Sequence, residues 1–403
     1  MKKKHHYDIV IVGAGLIGLF MAIMLIRKKI KILLIEKGAL DPSKLKTSDK
    51  RTTALSQGTM RILKNLDLWK FIEPFAQSIK DIDVFDGFSR KRLKFESSSL
   101  KEGDLGYIVE NKILKKILLK EITSNKMAVV FPNTEVVQIT QDKKILDEKI
   151  KIETAKKIIT SNLVIGADGR NSRSRFLNNM KFYEYDYKQN AYIFNIKHKD
   201  CHNNKALEIF YPEGPLAVLP MLSDEKNHQS SVVWTIDKKL GDFTKLKKKD
   251  FKTEFLKRYK NYFGSILSIS LPNKYPLNVK SSFDRSKNRF VLIGDASQAI
   301  HPIAGQGFNL GVRDCVELAK NICKSTELGI DPGMRISLAQ FENKRLLDKE
   351  LFVGSTHFLN LLFSNNNSGI RYLRKTGIGI IERMPILKNQ LMKIAMGLSI
   401  IGD

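Results

Sequence analysis

Apolar residues near the start of the chain fall into two short runs with a glycine-rich turn between them. The first run is IVIV at residues 9–12, and the second extends from Ile30 to Ile35. Short continuous apolar runs of this kind are typical of strands that are buried on both faces of a parallel sheet. The stretch Leu19–Lys28 has the length and composition of a helix. The pattern therefore predicts a strand, a helix and a second strand in one unit.

The next part of the chain mixes helical and extended patterns. Apolar positions recur at helical spacing in residues 51–69 and again in residues 105–122, so we expect a helix in each stretch. Residues 79–85 alternate like a strand, and the charged, Ser-rich stretch 89–103 is typical of a hairpin or loop.

Alternation of apolar and polar residues dominates the middle of the chain. Residues 157–169 predict a strand followed by a loop, and residues 182–235 alternate in the manner of an antiparallel sheet. A Lys-rich helical segment (238–262) and a strand at 289–293 follow, and the chain is helical from about residue 313. This order predicts an α/β domain that is interrupted by a sheet-rich insertion.

The predicted fold class is α/β, with a discontinuous Rossmann-like domain, an inserted antiparallel β-sheet domain and C-terminal helices. The Rossmann-like domain is expected at 1–75, 104–181 and 276–345, the inserted domain at 76–103 and 182–275, and the C-terminal helices at 346–403. The tail mixes apolar residues with Arg and Lys. It predicts either a helix that closes the domain or a helix that binds a membrane surface or a partner.

The first turn carries a specific chemical signal. Gly13, Gly15 and Gly18 form G-x-G-x-x-G directly after the first strand, and Glu36 follows the second strand. In this setting the glycines let backbone amides approach a pyrophosphate, and the carboxylate accepts hydrogen bonds from ribose hydroxyls. The segment therefore predicts a dinucleotide-binding site.

A membrane segment is the alternative for the same residues. Only Asp8 is charged between Tyr7 and Ile26, which is about the length of a helix that spans a bilayer. A basic stretch precedes the apolar run, as in a signal peptide, but no small-residue cleavage site follows it. We therefore expect no export signal.

The net charge bears on the expected partners. The chain has 403 residues, with 69 Lys and Arg against 42 Asp and Glu, which gives a formal net charge of +27. Such a balance suits nucleic acid or an anionic membrane surface. Because the lysines are spread along the chain and no nucleic-acid-binding module is present, no nucleic acid partner is expected. Genome bias and a preference for an anionic membrane surface both stay open as explanations.

Cysteine and histidine usage argues against disulfides and metals. Cys201, Cys315 and Cys323 form no C-x-x-C pair, which suits a reducing cytosol, and the last two fall at expected core positions of a helix. His5 and His6 have no partner ligands nearby, so they are expected in a solvated terminus. No metal site is expected.

Residues 288–320 contain a second Gly-rich loop after a predicted strand. Gly294 and Asp295 follow the carboxyl end of that strand, where α/β sheets bind ligands. A Pro- and Gly-rich loop (301–307) then leads into a helix expected near Phe308. A helix start suits an anion such as the pyrimidine edge of a reduced flavin. An ordinary helix cap explains the loop equally well when it is taken alone, but the first fingerprint in the same chain favours a flavin.

Three motifs occur in order: the fingerprint at 13–18, LVIGADGRNSRSR at 163–175 and FVLIGDAS at 290–297. Together they resemble the group A flavoprotein monooxygenases, which include para-hydroxybenzoate hydroxylase. The chain resembles the ubiquinone-biosynthesis hydroxylases more narrowly, through HPIAGQGFNLGVRD (301–314), GPLAVLPM (214–221), KRTTALS (50–56), LGYIVEN (105–111) and AMG (395–397). The resemblance implies the para-hydroxybenzoate hydroxylase-like fold, with FAD bound in the Rossmann-like domain.

The resemblance also implies a reaction. An enzyme of this family inserts one oxygen atom from O2 into an activated phenol ring, with NADH or NADPH as the electron donor. The cofactor supplies the organic chemistry, while the protein positions the ring, excludes water and stabilises charge. The implied substrate is a polyprenylphenol intermediate of ubiquinone biosynthesis, and other ubiquinone-biosynthesis proteins are candidate partners.

Roles in binding FAD follow from the resemblance, residue by residue. The ADP half would be held by Gly13, Gly15, Gly18 and Glu36, with Val137 near the adenine. Arg51 would lie near the pyrophosphate and ribityl, and Asn111 would contact FAD. Asp168 belongs to a signature that is linked with FAD and with NAD(P)H use.

The flavin ring has its own expected surroundings. Asp295 would hold the ribityl chain, and the ring would be surrounded by Pro302, Gly305, Gly307 and Asn309. Pro302, Gly305 and Gly307 form the expected catalytic loop, to which no side-chain base is assigned. The family usually has His where this chain has Gln298, and we expect activity to survive that change.

The segment EIFYPEGPLAVLPM (208–221) is expected to face the flavin. In relatives that act on benzoates this region binds the substrate carboxylate, whereas here it is mostly apolar. The segment therefore suits an apolar substrate, although its residues are equally expected in the hydrophobic core of the protein. The candidate substrate residues are Phe210, Leu216, Val218 and Leu219. Arg285 and Arg289 stay candidates for binding a charged substrate.

A polyprenyl substrate lies in the bilayer, so the resemblance implies a bacterial cytoplasmic protein that works at the inner face of the cytoplasmic membrane. Few residues precede the first strand, which leaves no room for a mitochondrial transit peptide. The rivals are a soluble hydroxylase of a small phenolic compound, a prenyl reductase and a non-catalytic FAD-holding member of a quinone-biosynthesis complex. A flavin halogenase is disfavoured because its W-x-W-x-I-P motif is absent; the tryptophans are Trp69 and Trp234.

Overall fold

The computed structural model describes residues 3–41, 49–87, 92–141, 149–223, 228–363, 377 and 379–398. Parts of the predicted loop 89–103 and of the C-terminal region 346–403 lie outside these residues. The helices are α1 (Leu16–Arg27), α2 (Gln57–Asn65), α3 (Trp69–Ile72), α4 (Asn111–Thr123), α5 (Arg173–Leu177), α6 (Lys248–Tyr259), α7 (Gly307–Glu327), α8 (Arg335–Phe363) and α9 (Pro385–Ala395).

The strands alternate with helices mainly in the first third of the chain. They are β1 (Lys3–Val12), β2 (Ile32–Ile35), β3 (Thr52–Ser56), β4 (Gln77–Ile79), β5 (Asp81–Asp86), β6 (Arg92–Glu96), β7 (Gly106–Glu110), β8 (Ala128–Phe131), β9 (Val136–Thr140), β10 (Ile150–Thr154), β11 (Lys157–Gly166), β12 (Phe182–His198), β13 (Lys205–Tyr211), β14 (Gly214–Pro220), β15 (His228–Asp237), β16 (Ile266–Ile269), β17 (Asn273–Ser282), β18 (Ser286–Lys287), β19 (Phe290–Leu292) and β20 (Gln298–Ala299).

The first sheet has a parallel centre built from the predicted apolar runs. Its order is β18-β19-β11-β1-β2-β8, with β10 on β11 and β9 on β10, and β1 runs parallel to β2 and β11. Residues of α1, α4 and α7 pack on one face, and Val10 and Leu33 pack with β9 and β10 residues on the other. Because β19 pairs in parallel with β11, the α/β unit resumes after the insertion, as predicted.

The insertion forms a second, mostly antiparallel sheet. Its order is β20-β17-β12-β15-β14-β13-β5-β6, with β16 on β12, and β13 pairs in parallel with β5. One face is covered by α6, whose Phe255 packs against Phe194 and Trp234. On the other face Phe210 packs in one cluster with Ile303 of the loop after β20. The predicted α/β fold with an inserted sheet is therefore confirmed, while its division into sequence segments stays a prediction.

Two predicted helices begin with strands instead. The helix predictions over 51–69 and 105–122 are wrong at their amino ends, where the chain forms β3 and β7 before α2 and α4 begin. These strands pair with each other in a small sheet of order β3-β7-β4, in which Ala54 lies opposite Ile108. Long-range pairing satisfies these backbone groups, and the local spacing of apolar residues does not reveal it.

The first strand is longer than the sequence predicts. β1 begins at Lys3, so His5 and His6 lie in the first strand rather than before it, although His6 is exposed to solvent as predicted. The register places His5 opposite Ile159, and His6 Nδ1 lies 3.1 Å from Thr160 Oγ1. Pairing with the long strand β11 thus extends β1 beyond its apolar part.

The residues considered as an alternative membrane segment belong to the first strand–turn–helix unit. Residues 7–26 form the end of β1, the glycine turn and most of α1. Among the described residues, none of the helices has the length and hydropathy that a membrane crossing needs. Cys315 is buried in α7 as expected, whereas Cys323 on the same helix is half-buried.

A buried carboxylate joins the end of the first sheet to the C-terminal helices. Asp314 of α7 is fully buried, and its Oδ1 accepts hydrogen bonds from Arg285 and Arg345, both at 2.8 Å. Its Oδ2 accepts the N–H of Gly294 at 3.0 Å. Burial alone would raise the pKa of Asp314, but the two guanidinium groups outweigh burial and hold it below its ordinary value. Asp314 therefore stays charged and fixes α7 against the loop after β19.

Removal of this carboxylate should destabilise the fold strongly. We expect Asp314→Ala to lower the free energy of unfolding by about 3–5 kcal/mol, because two buried guanidinium groups lose their counter-charge. Urea denaturation measures the change. The matched control is Glu135→Ala, which breaks the exposed pair Arg173–Glu135 and should cost less than about 1 kcal/mol. Equal losses in the two variants would contradict a structural role for the network.

Candidate active site

The glycine turn packs so tightly that two of its positions admit only glycine. Gly13 has φ +104°, and a Cβ on it would lie 2.7 Å from the carbonyl oxygen of Ala167. A Cβ on Gly18 would lie 1.9 Å from the carbonyl oxygen of Gly13. Gly15 differs, since it is exposed at the N-cap of α1 and a Cβ there would have nothing within 4 Å. The turn therefore leaves open space in front of the helix start.

Glu36 lies beside this turn, where the sequence predicts it. Its Oε2 accepts the N–H of Ala14 at 2.7 Å, and its Oε1 accepts the N–H of Gly38 at 2.9 Å. Each carboxylate oxygen can accept more than one hydrogen bond. Glu36 thus holds the turn in shape and keeps the capacity to bind hydroxyl groups.

Asp168 faces the glycine turn with its backbone rather than its carboxylate. Its Cα would lie 2.7 Å from a Cβ on Gly13. Its carboxylate accepts the Ser174 N–H at 2.8 Å and the hydroxyls of Ser172 and Ser174 at 2.5 and 2.8 Å. The side chain therefore stabilises the start of α5 and brings the Asp168 backbone to the turn.

Asp295 and the start of α7 form a second open group. The carboxylate of Asp295 makes no hydrogen bond to any residue that the structure describes, and its Oδ1 would lie 3.9 Å from a Cβ on Gly307. Burial raises the pKa of Asp295, while the charges of Arg170 and Arg51 oppose that shift. The N-cap residue of α7, Gln306, makes no side-chain capping bond, so the first N–H groups of the helix are available. The geometry suits a ligand with hydroxyl groups and a partly negative ring edge.

The loop before α7 is fastened to β3. Gly305 has φ +61°, and a Cβ on it would lie 3.0 Å from the Cβ of Ala54, while its N–H donates to the Pro302 carbonyl at 3.1 Å. Asn309 is buried; its Oδ1 accepts the Ser56 N–H at 2.9 Å, and its Nδ2 donates to the Ala54 carbonyl at 2.9 Å. The Asn309 side chain therefore holds the loop, and only the backbone of Asn309 is left to contact a ligand.

Three further predicted cofactor residues lie in different surroundings. Arg51 is half-exposed and binds both carboxylate oxygens of Asp49, at 2.8 and 2.7 Å. Asn111 begins α4; its N–H donates to the Arg51 carbonyl at 3.0 Å, and its Oδ1 accepts the Thr53 hydroxyl at 2.6 Å. Arg51 and Asn111 are thus neighbours, whereas Val137 lies on β9 with 48% of its surface exposed.

The four candidate substrate residues divide between the two faces of the second sheet. Leu216 and Val218 are fully buried in the core under α6, so their assignment to the substrate site is corrected. The reason is the alternation of side chains along β14, which turns every second residue away from the loop after β20. Phe210 and Leu219 lie on the other face, where Phe210 stacks on Phe363 with ring centroids 4.0 Å apart.

Two ionisable residues that the sequence analysis missed lie on the same face as Phe210. Glu208 of β13 and His301 line a small cavity together with Pro215, Ala217, Val233, Thr235, Pro302 and Ile303. The available signal was the charge of Glu208 in an otherwise apolar strand, two residues from Phe210 and so on the same face. The cavity places both groups against the loop that is expected to contact the flavin.

The two arginines that were candidates for a charged substrate are used inside the fold. Arg285 is buried and binds Asp314, and Arg289 is buried and binds Asp331 at 2.7 Å. Arg285 Nη2 also donates to the Gln298 Oε1 at 2.6 Å, which gives Gln298 a structural partner at the position where the family usually has His.

Comparisons with known proteins match this architecture. A family model described as an FAD binding domain matches residues 6–327. A ubiquinone hydroxylase, UbiL of Rhodospirillum rubrum, is 32% identical over 97% of this chain and 89% of the relative. The 3-demethoxyubiquinol 3-hydroxylase of Escherichia coli is 24% identical over 97% of this chain and 98% of the relative.

Solved structures show the same fold at low sequence identity. The p-nitrophenol 4-monooxygenase PnpA of Pseudomonas putida superposes with a TM-score of 0.79 at 16% identity, and 98% of each chain is covered. HpxO of Klebsiella pneumoniae, which was solved as a single-residue variant complexed with FAD, has a TM-score of 0.76 at 13% identity and covers 98% of this chain and 100% of its own. With the family match over most of its length, the chain belongs to the FAD binding domain family and is an FAD-dependent monooxygenase of the ubiquinone-biosynthesis hydroxylase group.

Proposed function

We propose that this protein hydroxylates the ring of a polyprenylphenol intermediate in ubiquinone biosynthesis, with NADH or NADPH as the electron donor and O2 as co-substrate. The observation that carries the proposal is the cavity between the second sheet and the Pro302 loop. Glu208 and His301 line it, and the apolar cluster of Phe210 and Ile303 lies beside it. The relatives named as ubiquinone hydroxylases cover nearly the whole chain and support this substrate class.

The residues at the two open groups fit FAD. The space in front of Gly15 and the free N–H groups of α1 suit a pyrophosphate, and Glu36 suits the adenosine ribose. The carboxylate of Asp295, which has no partner among the described residues, suits the ribityl hydroxyls. FAD would supply the transfer of electrons from the nicotinamide cofactor to O2 and the transfer of oxygen to the ring.

We propose the remaining FAD-binding residues from their positions around the same two open groups. Arg51 and Asn111 lie together near Asp295 and suit the pyrophosphate and ribityl, and Asp168 shapes the turn at Gly13. Val137 would lie beside the adenine. Gly307 and the N–H groups of α7 would face the pyrimidine edge, where a helix start stabilises developing negative charge.

The apolar side of the site favours a substrate without a carboxylate. Phe210, Leu93, Ile303 and Phe363 form one buried cluster beside the cavity, and Leu219 belongs to a neighbouring cluster. Arg285 and Arg289, which could have bound an acid, are both paired inside the fold. A small phenolic acid would therefore lack a cationic partner from these two residues, whereas a prenylated ring would bury its chain on this surface.

The C-terminal helices offer a surface for a membrane. Leu351 and Phe358 of α8 are 52% and 62% exposed, and Ile386 of α9 is 78% exposed. With a net charge of +27, exposed apolar residues of this kind suit the interface of an anionic bilayer, where a polyprenylphenol lies. We propose that the enzyme binds the cytoplasmic membrane peripherally through α8 and α9, where other ubiquinone-biosynthesis proteins are candidate partners.

A methyl group at Gly15 should block the cofactor without harming the fold. We expect Gly15→Ala to weaken FAD binding by about tenfold or more, because the new Cβ occupies space that the protein leaves to the pyrophosphate. Titration of the apoprotein with FAD, followed by flavin fluorescence, measures the change. Gly354→Ala in α8, where a Cβ also meets nothing within 4 Å, is the control and should bind FAD normally. Unchanged affinity in Gly15→Ala would exclude this placement of the pyrophosphate.

Membrane binding should depend on the exposed apolar residues of the C-terminal helices. We expect the protein to float with vesicles that contain anionic lipid, and the double variant Phe358→Asp, Ile386→Asp to remain in solution. Phe176→Asp is the matched control, since Phe176 has the same 78% exposure as Ile386 but lies on α5. Equal flotation of all three proteins, or of none, would contradict docking through these helices.

The proposed function is tested in a bacterium that lacks its own ubiquinone ring hydroxylases. Expression of this chain should restore ubiquinone or a later intermediate in the lipid profile, and the step restored names the ring carbon. A yellow, FAD-loaded protein that leaves the profile unchanged would contradict the proposal. Turnover of a small phenol by that protein would then favour the soluble hydroxylase, and the absence of substrate-stimulated NAD(P)H oxidation would favour a non-catalytic role.

A further inference from the structure

Glu208 and His301 line one cavity, and their side chains have no hydrogen-bond partner among the described residues. Both residues line the space between β13, β14, β15 and the Pro302 loop. The cavity is small, with a volume of about 10 Å³. Because a cavity of about 10–15 Å³ holds one water, this space suits a single hydroxyl-sized group rather than a whole ligand.

His301 is buried with both ring nitrogens unsatisfied. Its exposed fraction is 1%, and neither Nδ1 nor Nε2 has a hydrogen-bond partner among the described residues. The Tyr187 ring packs edge-on against the His301 ring, with the ring centroids 5.0 Å apart, and fixes the plane of the imidazole. Burial, assisted by the charge of Arg170, lowers the pKa of His301 to about 3. The imidazole is therefore neutral at physiological pH, and it offers one N–H donor and one acceptor.

Glu208 lies at a strand position where the fold does not require a polar side chain. Its neighbours across the sheet are Val84 on β5 and Ala217 on β14, and its carboxylate makes no hydrogen bond to any described residue. Burial raises the pKa of Glu208 to about 8. The charged and titratable groups beside His301 are Tyr187 of β12 and Arg170 of the loop after β11, and the Tyr187 hydroxyl lies 3.0 Å from Nδ1 of His357 on α8.

His301 is buried and Glu208 half-buried, and neither side chain has a hydrogen-bond partner among the described residues, so both cost stability unless a ligand completes them. The ligand that completes them must carry a donor and an acceptor on a small polar end, since the rest of the cavity is apolar apart from Thr235. A hydroxyl group on a ring meets both conditions. A carboxylate does not, because it only accepts hydrogen bonds and offers no donor to the acceptor nitrogen of His301.

We propose that Glu208 and His301 form the hydroxyl site of the substrate pocket, with Glu208 as the base that takes the proton of the phenol. In the ionised form of Glu208, which its raised pKa makes the stronger base, the phenolic O–H bond breaks, its electron pair stays on the oxygen, and the proton forms a new O–H bond on the Glu208 carboxylate. The His301 N–H donates to the phenolate oxygen, and the total charge is unchanged. The inference rests on the proposed function insofar as the substrate is a phenol.

The test uses the FAD-loaded protein and a 4-nitrophenol that carries a short prenyl chain at C2, whose absorbance reports its ionisation. Wild-type protein should bind the probe as the phenolate. In Glu208→Gln the apparent pKa of the bound probe should rise by about one unit or more, because the strong O–H donor of protonated Glu208, which stabilises the phenolate, is replaced by a weaker amide donor. His301→Ala should weaken binding of the probe more than binding of its O-methyl ether.

The outcomes separate this inference from the proposed function. Binding with the same apparent pKa in wild type and Glu208→Gln overturns the role of Glu208 and leaves the proposed function standing. Failure of the probe to bind wild-type protein overturns both proposals. Glu213→Gln, on the hairpin next to Glu208, is the control and should leave the ionisation of the bound probe as in wild type.

Thermal stability gives a readout that a structural role would move in the opposite direction. The raised pKa of Glu208 means that its charged form is disfavoured in the folded state, so the cost grows as pH rises from about 4.5 to about 8. Glu208→Gln should therefore raise the melting temperature, and by more at pH 8 than at pH 5. Glu213→Gln should lower it, because Glu213 Oε1 binds Arg258 at 2.9 and 2.7 Å. A lower melting temperature in Glu208→Gln would show that Glu208 supports the fold, which contradicts the proposal.

Discussion

The arrangement of the site depends on the buried carboxylate of Asp314. By binding Arg285, Arg345 and the Gly294 N–H at once, it joins the end of β19, the helix α7 and the helix α8. Asp314 lies about two turns into α7, so the direction of that helix and the position of its first residues are fixed together. The Asp295 carboxylate and the open start of α7 consequently face the same space. The buried charges around Asp314 thus position the Asp295 carboxylate and the start of α7, although neither is bonded to those charges.

The second constraint is the alternation of side chains in the inserted sheet. Leu216 and Val218 fill the core under α6, which leaves Glu208 and Phe210 on the face that meets the Pro302 loop. Cofactor and substrate would therefore meet where the loop between β20 and α7 lies on one face of the inserted sheet. In this geometry the α/β sheet presents the cofactor, and the inserted sheet decides which ring enters.

Much of the fold was predictable because its signals are local. The run at residues 9–12, the glycines and Glu36 specify the first unit within one short stretch, and alternation specifies the inserted sheet. The strands β3 and β7 were missed because their pairing is long-range and their residues also fit a helical spacing. Leu216 and Val218 were misplaced because periodicity shows that a strand has two faces without showing which one meets the loop. Glu208 was missed because a single charge in an apolar strand has no local signature of function.

The central claim is that a phenolic hydroxyl binds between Glu208 and His301 while its ring lies against the flavin loop. The most direct measurement is a crystal structure of the FAD-loaded protein with a prenylated phenol. The hydroxyl oxygen should lie within hydrogen-bond distance of both side chains, with the ring beside Pro302 and the prenyl chain running along Phe210. A hydroxyl that points away from Glu208 and His301, or a phenol bound on the α6 side of the sheet, would contradict the claim.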